Sequence, residues 1–226
     1  MNTEQRYRLV YKPVVFSASL VPAAWLVCGL FGWLGQDLGA DPVKSLEHSC
    51  GKVALNFLMF TLMVTPVRTI LGLPHLLRLR RMLGLFAFFY AVMHFCVYAV
   101  LDQELAWRSV LADIAKRPYI TVGFTALLML LPLAITSTNR MMRRLGRRWQ
   151  KLHRLIYVIA VLGVWHYYWQ VKRDVREPLI YAAVLALLLG YRYVRSARAR
   201  PHATPARRPA AQVTSKSAPA TVPERN

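Results

Sequence analysis

Six histidines carry most of the chemical potential of this sequence: His48, His75, His94, His153, His166 and His202. His94 and His166 each lie within a long apolar run, where an ionisable side chain is costly and therefore faces the interior of a helix bundle with a partner. Imidazole is the least costly, because it can stay neutral, and neutral imidazole is a metal ligand. His94 follows Arg81 by 13 residues and His166 follows Arg154 by 12. At about 1.5 Å per residue, each ring then sits roughly 20 Å into a membrane entered from the arginine end, on helices running the same way. Two neutral imidazoles at matched depth can ligate one haem iron from opposite faces, in a pocket between bundle helices. A helix–helix hydrogen bond is the alternative for either histidine taken singly.

His153 lies 13 residues before His166, at the arginine-rich edge. The positions one helical stretch below His94 are Arg80 and Arg81, which do not ligate iron. A second bis-histidine site therefore lacks a ligand, whereas Arg80, Arg81 and His153 together suit a propionate, a phosphate-bearing flavin or a quinone headgroup. The alternative for His153 is an interfacial side chain reaching for water. Of the aromatic residues near the histidines, Phe88, Phe89 and Tyr90 are deep enough to pack on a porphyrin, while Tyr168 and Trp169 read as an interfacial belt. Cys28, Cys50 and Cys96 show no CxxC spacing and read as small apolar residues.

The elements that must position these side chains are six apolar stretches, approximately 14–34, 53–67, 82–101, 119–135, 155–171 and 179–194. Most approach the roughly 20 residues that cross a hydrocarbon core about 30 Å thick. The whole chain has 226 residues, 56% of them hydrophobic and 18% charged, yet carries a net charge of +20. A soluble domain has nearer a quarter charged residues. Either a basic nucleic-acid-binding face or basic membrane loops could account for the charge, and its distribution decides. The segments between stretches two and three and between four and five hold Arg68, Arg78, Arg80 and Arg81, then Arg140, Arg143, Arg144, Arg147, Arg148 and Lys151, with no acid. The other loops hold Asp37, Asp41, Glu47, Asp102, Glu104, Asp113, Asp174 and Glu177, eight of the ten acids. The positive-inside rule makes the basic loops cytoplasmic, and nucleic-acid binding loses its support.

The expected architecture is an all-α integral membrane protein, a six-helix transmembrane bundle with both termini cytoplasmic. Residues 1–13 form a cytoplasmic N-terminal segment, 14–195 the transmembrane domain, and 196–226 a disordered basic tail able to touch anionic lipid. The first stretch is longer than the apolar region of a signal peptide and lacks a small-residue cleavage pattern, so it is expected to be retained. No Asp or Glu falls within any of the six stretches, which disfavours a proton-relaying transporter.

The strings LMVTPVRTILG (62–72), RLRRMLGLFAFFYAVMHF (78–95), KRPYITVGF (116–124), LPLAITS (131–137) and RRLGRRWQKLHRLIY (143–157) resemble those of the MsrQ family. These are the haem-binding membrane subunits of bacterial MsrPQ methionine sulfoxide reductase systems, and the resemblance spans about residues 14–193. It implies a six-helix domain like that of ferric reductases and NADPH oxidases, carrying haem b, in the bacterial inner membrane. It also implies electron delivery to MsrP, a periplasmic molybdopterin enzyme that repairs oxidised envelope proteins. The implied donor is a cytoplasmic flavin reductase or the quinone pool. FMN is an implied cofactor for which no motif is found in this chain. Matching carries a haem role to His94 and His166, and less directly to His153. The oxidase relatives have two histidines on each of helices three and five, whereas this chain has one on helix three, which puts a second haem in doubt.

Only residues 196–226 follow the last stretch, and no nicotinamide-binding motif is recognisable. Reducing equivalents are therefore expected from a separate donor at the basic face formed by Arg78, Arg80, Arg81, Arg147, Arg148 and His153. The chain is expected to be an electron-transfer subunit and not itself the sulfoxide-reducing catalyst. A stand-alone membrane ferric or quinone reductase is the alternative.

Overall fold

A computed structural model describes residues 3–33, 39–73, 76–171 and 174–198. His75, His202 and the tail beyond residue 198 lie outside the described residues. Every regular element described is helical. Helix α1 (Lys12–Leu30) continues from a π-helical turn at Tyr7–Tyr11. It is followed by α2 (Pro42–Leu71), α3 (Leu76–Val97, with a π turn at Tyr98–Asp102), α4 (Trp107–Lys116) and α5 (Pro118–Ile135). Two short helices, α6 (Asn139–Leu145) and α7 (Arg147–Leu152), lead to α8 (Leu155–Gln170) and α9 (Arg176–Arg198).

Five of these helical segments are long and apolar enough to cross a membrane: Tyr7–Leu30, Pro42–Leu71, Leu76–Asp102, Pro118–Ile135 and Arg176–Arg198. The remaining apolar stretch, the fifth, is α8, which has 16 residues. Large apolar side chains such as Ile70, Leu128, Trp165 and Leu187 are exposed on the helix exteriors, as a surface meant for lipid requires. The chain is a multi-pass membrane protein.

The structure departs from the sequence reading at several element ends. Helix α2 has 30 residues, about 45 Å of helix, and begins well before position 53. Lys44, Glu47 and Lys52 depress the hydropathy of its first turns without breaking the helix. Asp41 starts it, its carboxylate accepting from the Lys44 N–H at 3.1 Å, and Pro42 occupies the first turn, where its missing N–H costs nothing. Gly72 ends it at φ 65°, a left-handed position that glycine adopts freely. Glu47, and also Asp102 and Glu177 at helix ends, are thus helical, contrary to the expectation that the spans hold no acid. Residues 196–198, expected in the tail, belong to α9. Helix α4 lies in what had read as a plain loop: it is amphipathic, burying Val110 while Trp107 and Leu111 stay exposed.

Two helix pairs form the body of the bundle, α2 against α3 and α5 against α8. They join through α3 with α5 and α2 with α8, while α9 lies on α8 and α2, and α1 on α2 and α3. Leu55, Leu62, Ala87, Tyr90, Ile159 and Ala160 are buried at the centre. A proline within α2 dictates one polar contact here, because a carbonyl four residues before a proline has no helical donor. Pro66 leaves the Leu62 carbonyl without one, and the Arg192 guanidinium of α9 supplies it at 2.7 Å. The same guanidinium donates to the Thr65 and Tyr157 hydroxyls, pinning α9 to α2 and α8. Near Pro22 in α1, the Tyr90 hydroxyl donates to the Ser19 carbonyl at 2.7 Å and accepts from the Ala23 N–H at 3.0 Å, inserting into that helix's own ladder.

Arg192→Met is expected to lower stability by about 1–3 kcal/mol, read as the thermal unfolding midpoint in detergent. In a Pro66→Ala background, where residue 66 regains its N–H, the loss should be smaller. Equal losses in the two backgrounds would contradict the pairing of Arg192 with the proline-vacated carbonyl.

Candidate functional site

His94 projects from α3 and His166 from α8, and their ring centroids lie 6.1 Å apart with planes at 73°. His94 Nδ1 is 2.9 Å from the Glu47 carbonyl on α2, and His166 Nδ1 is 2.7 Å from the Tyr119 carbonyl on α5. A carbonyl only accepts, so in both rings Nδ1 carries the proton and Nε2 keeps its lone pair. This is the arrangement in which a metal-ligating histidine is usually held, its other N–H satisfied by a backbone oxygen.

A metal–imidazole bond is about 2.0–2.1 Å and a ring nitrogen lies about 1.1 Å from its centroid, so two rings sharing one metal in line have centroids about 6 Å apart. The observed spacing fits. Among the described residues, no group of three His, Cys, Asp or Glu side chains comes together to hold a metal ion. Two imidazoles alone suit a metal whose remaining positions are filled by a macrocycle, as in haem.

Both histidines line a cavity of about 840 Å³, within the usual range for cofactor sites. Its deep end is apolar, with Leu58, Ala87, Leu130 and Ile159, and its outer end is polar, with Lys44, Lys52, Asp102 and Arg117. Each of the three cations has a carboxylate partner: Lys44 with Asp41 at 2.6 Å, Lys52 with Glu177 at 2.5 Å and Arg117 with Asp113 at 3.2 Å. The Tyr167 hydroxyl also donates to Glu177.

The structure brings His94 and His166 together but leaves His153, Arg80 and Arg81 outside the cavity lining. His153 lies at the junction of α7 and α8 and stacks on Trp149 at 3.9 Å. Its Nδ1 is 3.1 Å from the Trp149 carbonyl, and its Nε2 is buried without a partner. Desolvation holds its pKa below the ordinary histidine value, the Trp149 carbonyl opposing the shift and the charge of Arg80 adding to it. Arg81 donates instead to Asn139.

Phe88, Phe89 and Tyr90 also do not line the cavity. Phe89 and Tyr90 meet edge to face, and Tyr90 stacks on Phe57, toward the α1 side of α3. The α3 residues that do line it are Ala87, Ala91, His94, Phe95 and Tyr98, whose spacing marks one helix face. Small side chains below the histidine leave the space that aromatic ones would fill. His48, given no role by the sequence alone, lines the cavity 5.5 Å from the Tyr167 ring. Lys52 and Arg117 were also missed. The signal available for them was a cation just before an apolar run, Lys52 ahead of 53–67 and Arg117 ahead of 119–135.

Comparison with known proteins places this geometry in a family. The ferric reductase like transmembrane component family matches residues 50–164. The protein-methionine-sulfoxide reductase heme-binding subunit MsrQ of Xanthomonas oryzae pv. oryzae (strain MAFF 311018) is 50% identical over 200 residues, covering 85% of this chain and 89% of that protein. The subunit of the same name from Xanthomonas campestris pv. campestris (strain 8004) is 51% identical over 197 residues, covering 84% and 88%. That of Rhodospirillum rubrum is 50% identical over 187 residues, covering 82% and 88%. No solved structure matches significantly. With half its residues identical to these proteins over more than four-fifths of its length, and a ferric reductase-like region containing His94, the chain belongs to the MsrQ family.

Proposed function

We propose that this chain is a haem b-binding, electron-transfer subunit that delivers electrons across the bacterial inner membrane to a periplasmic methionine sulfoxide reductase of the MsrP type. The observation that carries the reading is the pair of imidazoles 6.1 Å apart with both Nδ1 atoms on backbone carbonyls. The names of the relatives supply the rest: each is a heme-binding subunit of a protein-methionine-sulfoxide reductase.

Six spans with both ends cytoplasmic agree with the distribution of charge. The adjoining ends of α2 and α3, with Arg68, Arg78, Arg80 and Arg81, and the α5–α8 connection carry arginines and no acids, so α3 and α8 both rise from the inner face. His94 and His166 then lie in the outer half of the bilayer, and the polar end of the cavity opens on the periplasmic side. When bound, haem supplies reversible one-electron chemistry at its iron. The chain supplies two axial nitrogens of fixed tautomer, an apolar cavity floor that excludes water, and cations at the cavity mouth to face carboxylate side arms. The absence of a CxxCH sequence means the group is held without thioether bonds, as haem b is.

At the inner face, the arginines of α6 and α7 form a basic surface suited to an acidic donor such as a cytoplasmic flavin reductase, with quinol from the quinone pool as the other donor. His153, Arg80 and Arg81 belong to this side. A second haem there would have one imidazole and no second, and FMN would have its phosphate to offer to the arginines.

In the detergent-purified full-length protein, His94→Ala and His166→Ala should each abolish the low-spin haem spectrum, whereas His153→Ala should retain it. An unaltered spectrum in either of the first two variants would refute the ligand pair. Dithionite-reduced protein should reoxidise when an MsrP-type enzyme and methionine sulfoxide are added together. Reoxidation by ferric chelate or quinone, with no response to that mixture, would instead support the stand-alone reductase.

A further inference from the structure

We propose that Gly51 and Gly123 are positioning residues for the two axial imidazoles, each forming with the carbonyl four residues before it a clamp that fixes one histidine ring. The inference rests on the bis-histidine haem reading above.

The two sides of the site are built alike. His94 donates to the carbonyl of Glu47 and its ring lies on Gly51; His166 donates to the carbonyl of Tyr119 and its ring lies on Gly123. In both cases the histidine follows its carbonyl partner by 47 residues. In an α-helix, the carbonyl of residue i points along the axis toward residue i+4, whose N–H takes one of its lone pairs. An imidazole that uses the second lone pair lies against the helix surface near i+4, as the two rings do here against Gly51 and Gly123.

The backbone geometry makes that conflict explicit. A Cβ at position 123 would lie 2.8 Å from both Cε1 and Nδ1 of His166, closer than real Cβ contacts come. A Cβ at position 51 would lie 3.2 Å from the same two atoms of His94, a tight contact that a small shift relieves. At each site the glycine meets the Nδ1–Cε1 edge, leaving Nε2 toward the cavity. Other helical glycines do not share this role: Gly163 would meet Leu55 at 3.5 Å, an ordinary contact, and Gly190 meets nothing within 4 Å. Glycine in a helix interior costs about 1 kcal/mol relative to alanine. At positions 51 and 123 the benefit is an N–H···O bond that sets the tautomer and raises the basicity of the ligand nitrogen.

The test uses full-length protein, purified with its haem, in three variants: Gly123→Ala, Gly51→Ala and Gly190→Ala. Displacing the ring weakens the Nδ1–H bond, makes the axial nitrogen a poorer electron donor and favours ferrous iron. Gly123→Ala should therefore raise the midpoint potential, reduce the low-spin fraction and speed haem loss to an apo-globin scavenger by about 10–100-fold. Gly51→Ala should shift the same three readouts in the same direction by less, and it keeps the question open to measurement should Gly123→Ala fail to fold. Gly190→Ala should match the unmodified protein. If Gly51→Ala and every folded Gly123→Ala sample are indistinguishable from Gly190→Ala, the clamp is overturned. If the unmodified protein itself has no low-spin haem, it is the bis-histidine reading that fails.

Discussion

Hydrocarbon offers no water to a buried N–H, so an imidazole in the middle of a bundle must place its proton on a protein acceptor. In this chain the acceptors are backbone carbonyls, Glu47 for His94 and Tyr119 for His166. That requirement determines much else. It sets the tautomer, it brings α2 against α3 and α5 against α8 closely enough for a ring of one helix to reach the backbone of the other, and it leaves Nε2 free on the side of the cavity. A carbonyl is a better partner here than a carboxylate, because it directs the proton without adding a charge whose burial would have to be compensated.

The same rule, that buried backbone groups must be satisfied, explains the polar contacts away from the cavity. Proline inside α2 vacates the Leu62 carbonyl, and Arg192 fills it. Tyr90 places its hydroxyl between Ser19 and Ala23 beside Pro22. Both contacts join helices distant in sequence and tie α1 and α9 to the two central pairs. The charged groups are graded along the same axis. Acids and cations pair at the cavity mouth, while the opposite end of the bundle has arginines in excess, which gives it an electrical direction.

Several of these features were legible in the sequence and others were not. Counting residues from Arg81 and from Arg154 puts His94 and His166 at one depth, and the structure brings the rings to 6.1 Å. Depth arithmetic works because a helix has a constant rise. It says nothing of which way a side chain faces, which is why Phe88, Phe89 and Tyr90 read as cavity residues while Ala87 and Ala91 passed unnoticed. Hydropathy also understates a helix whose outer turns are polar, hence the late start assigned to α2, and it overlooks an amphipathic one such as α4, whose apolar residues are spaced for one face. Gly51 and Gly123 carry no signal of their own. Their meaning depends on a ring supplied by another helix, and only the folded backbone shows it.

The central claim is that one iron is held by both His94 and His166. It is tested most directly by pulsed electron paramagnetic resonance of the ferric full-length protein grown with ¹⁵N-labelled histidine. Two labelled histidine nitrogens coupled to a low-spin iron, falling to one or none in His166→Ala, is the predicted result. A single coupled histidine in the unmodified protein, or a spectrum that His166→Ala leaves unchanged, would contradict it.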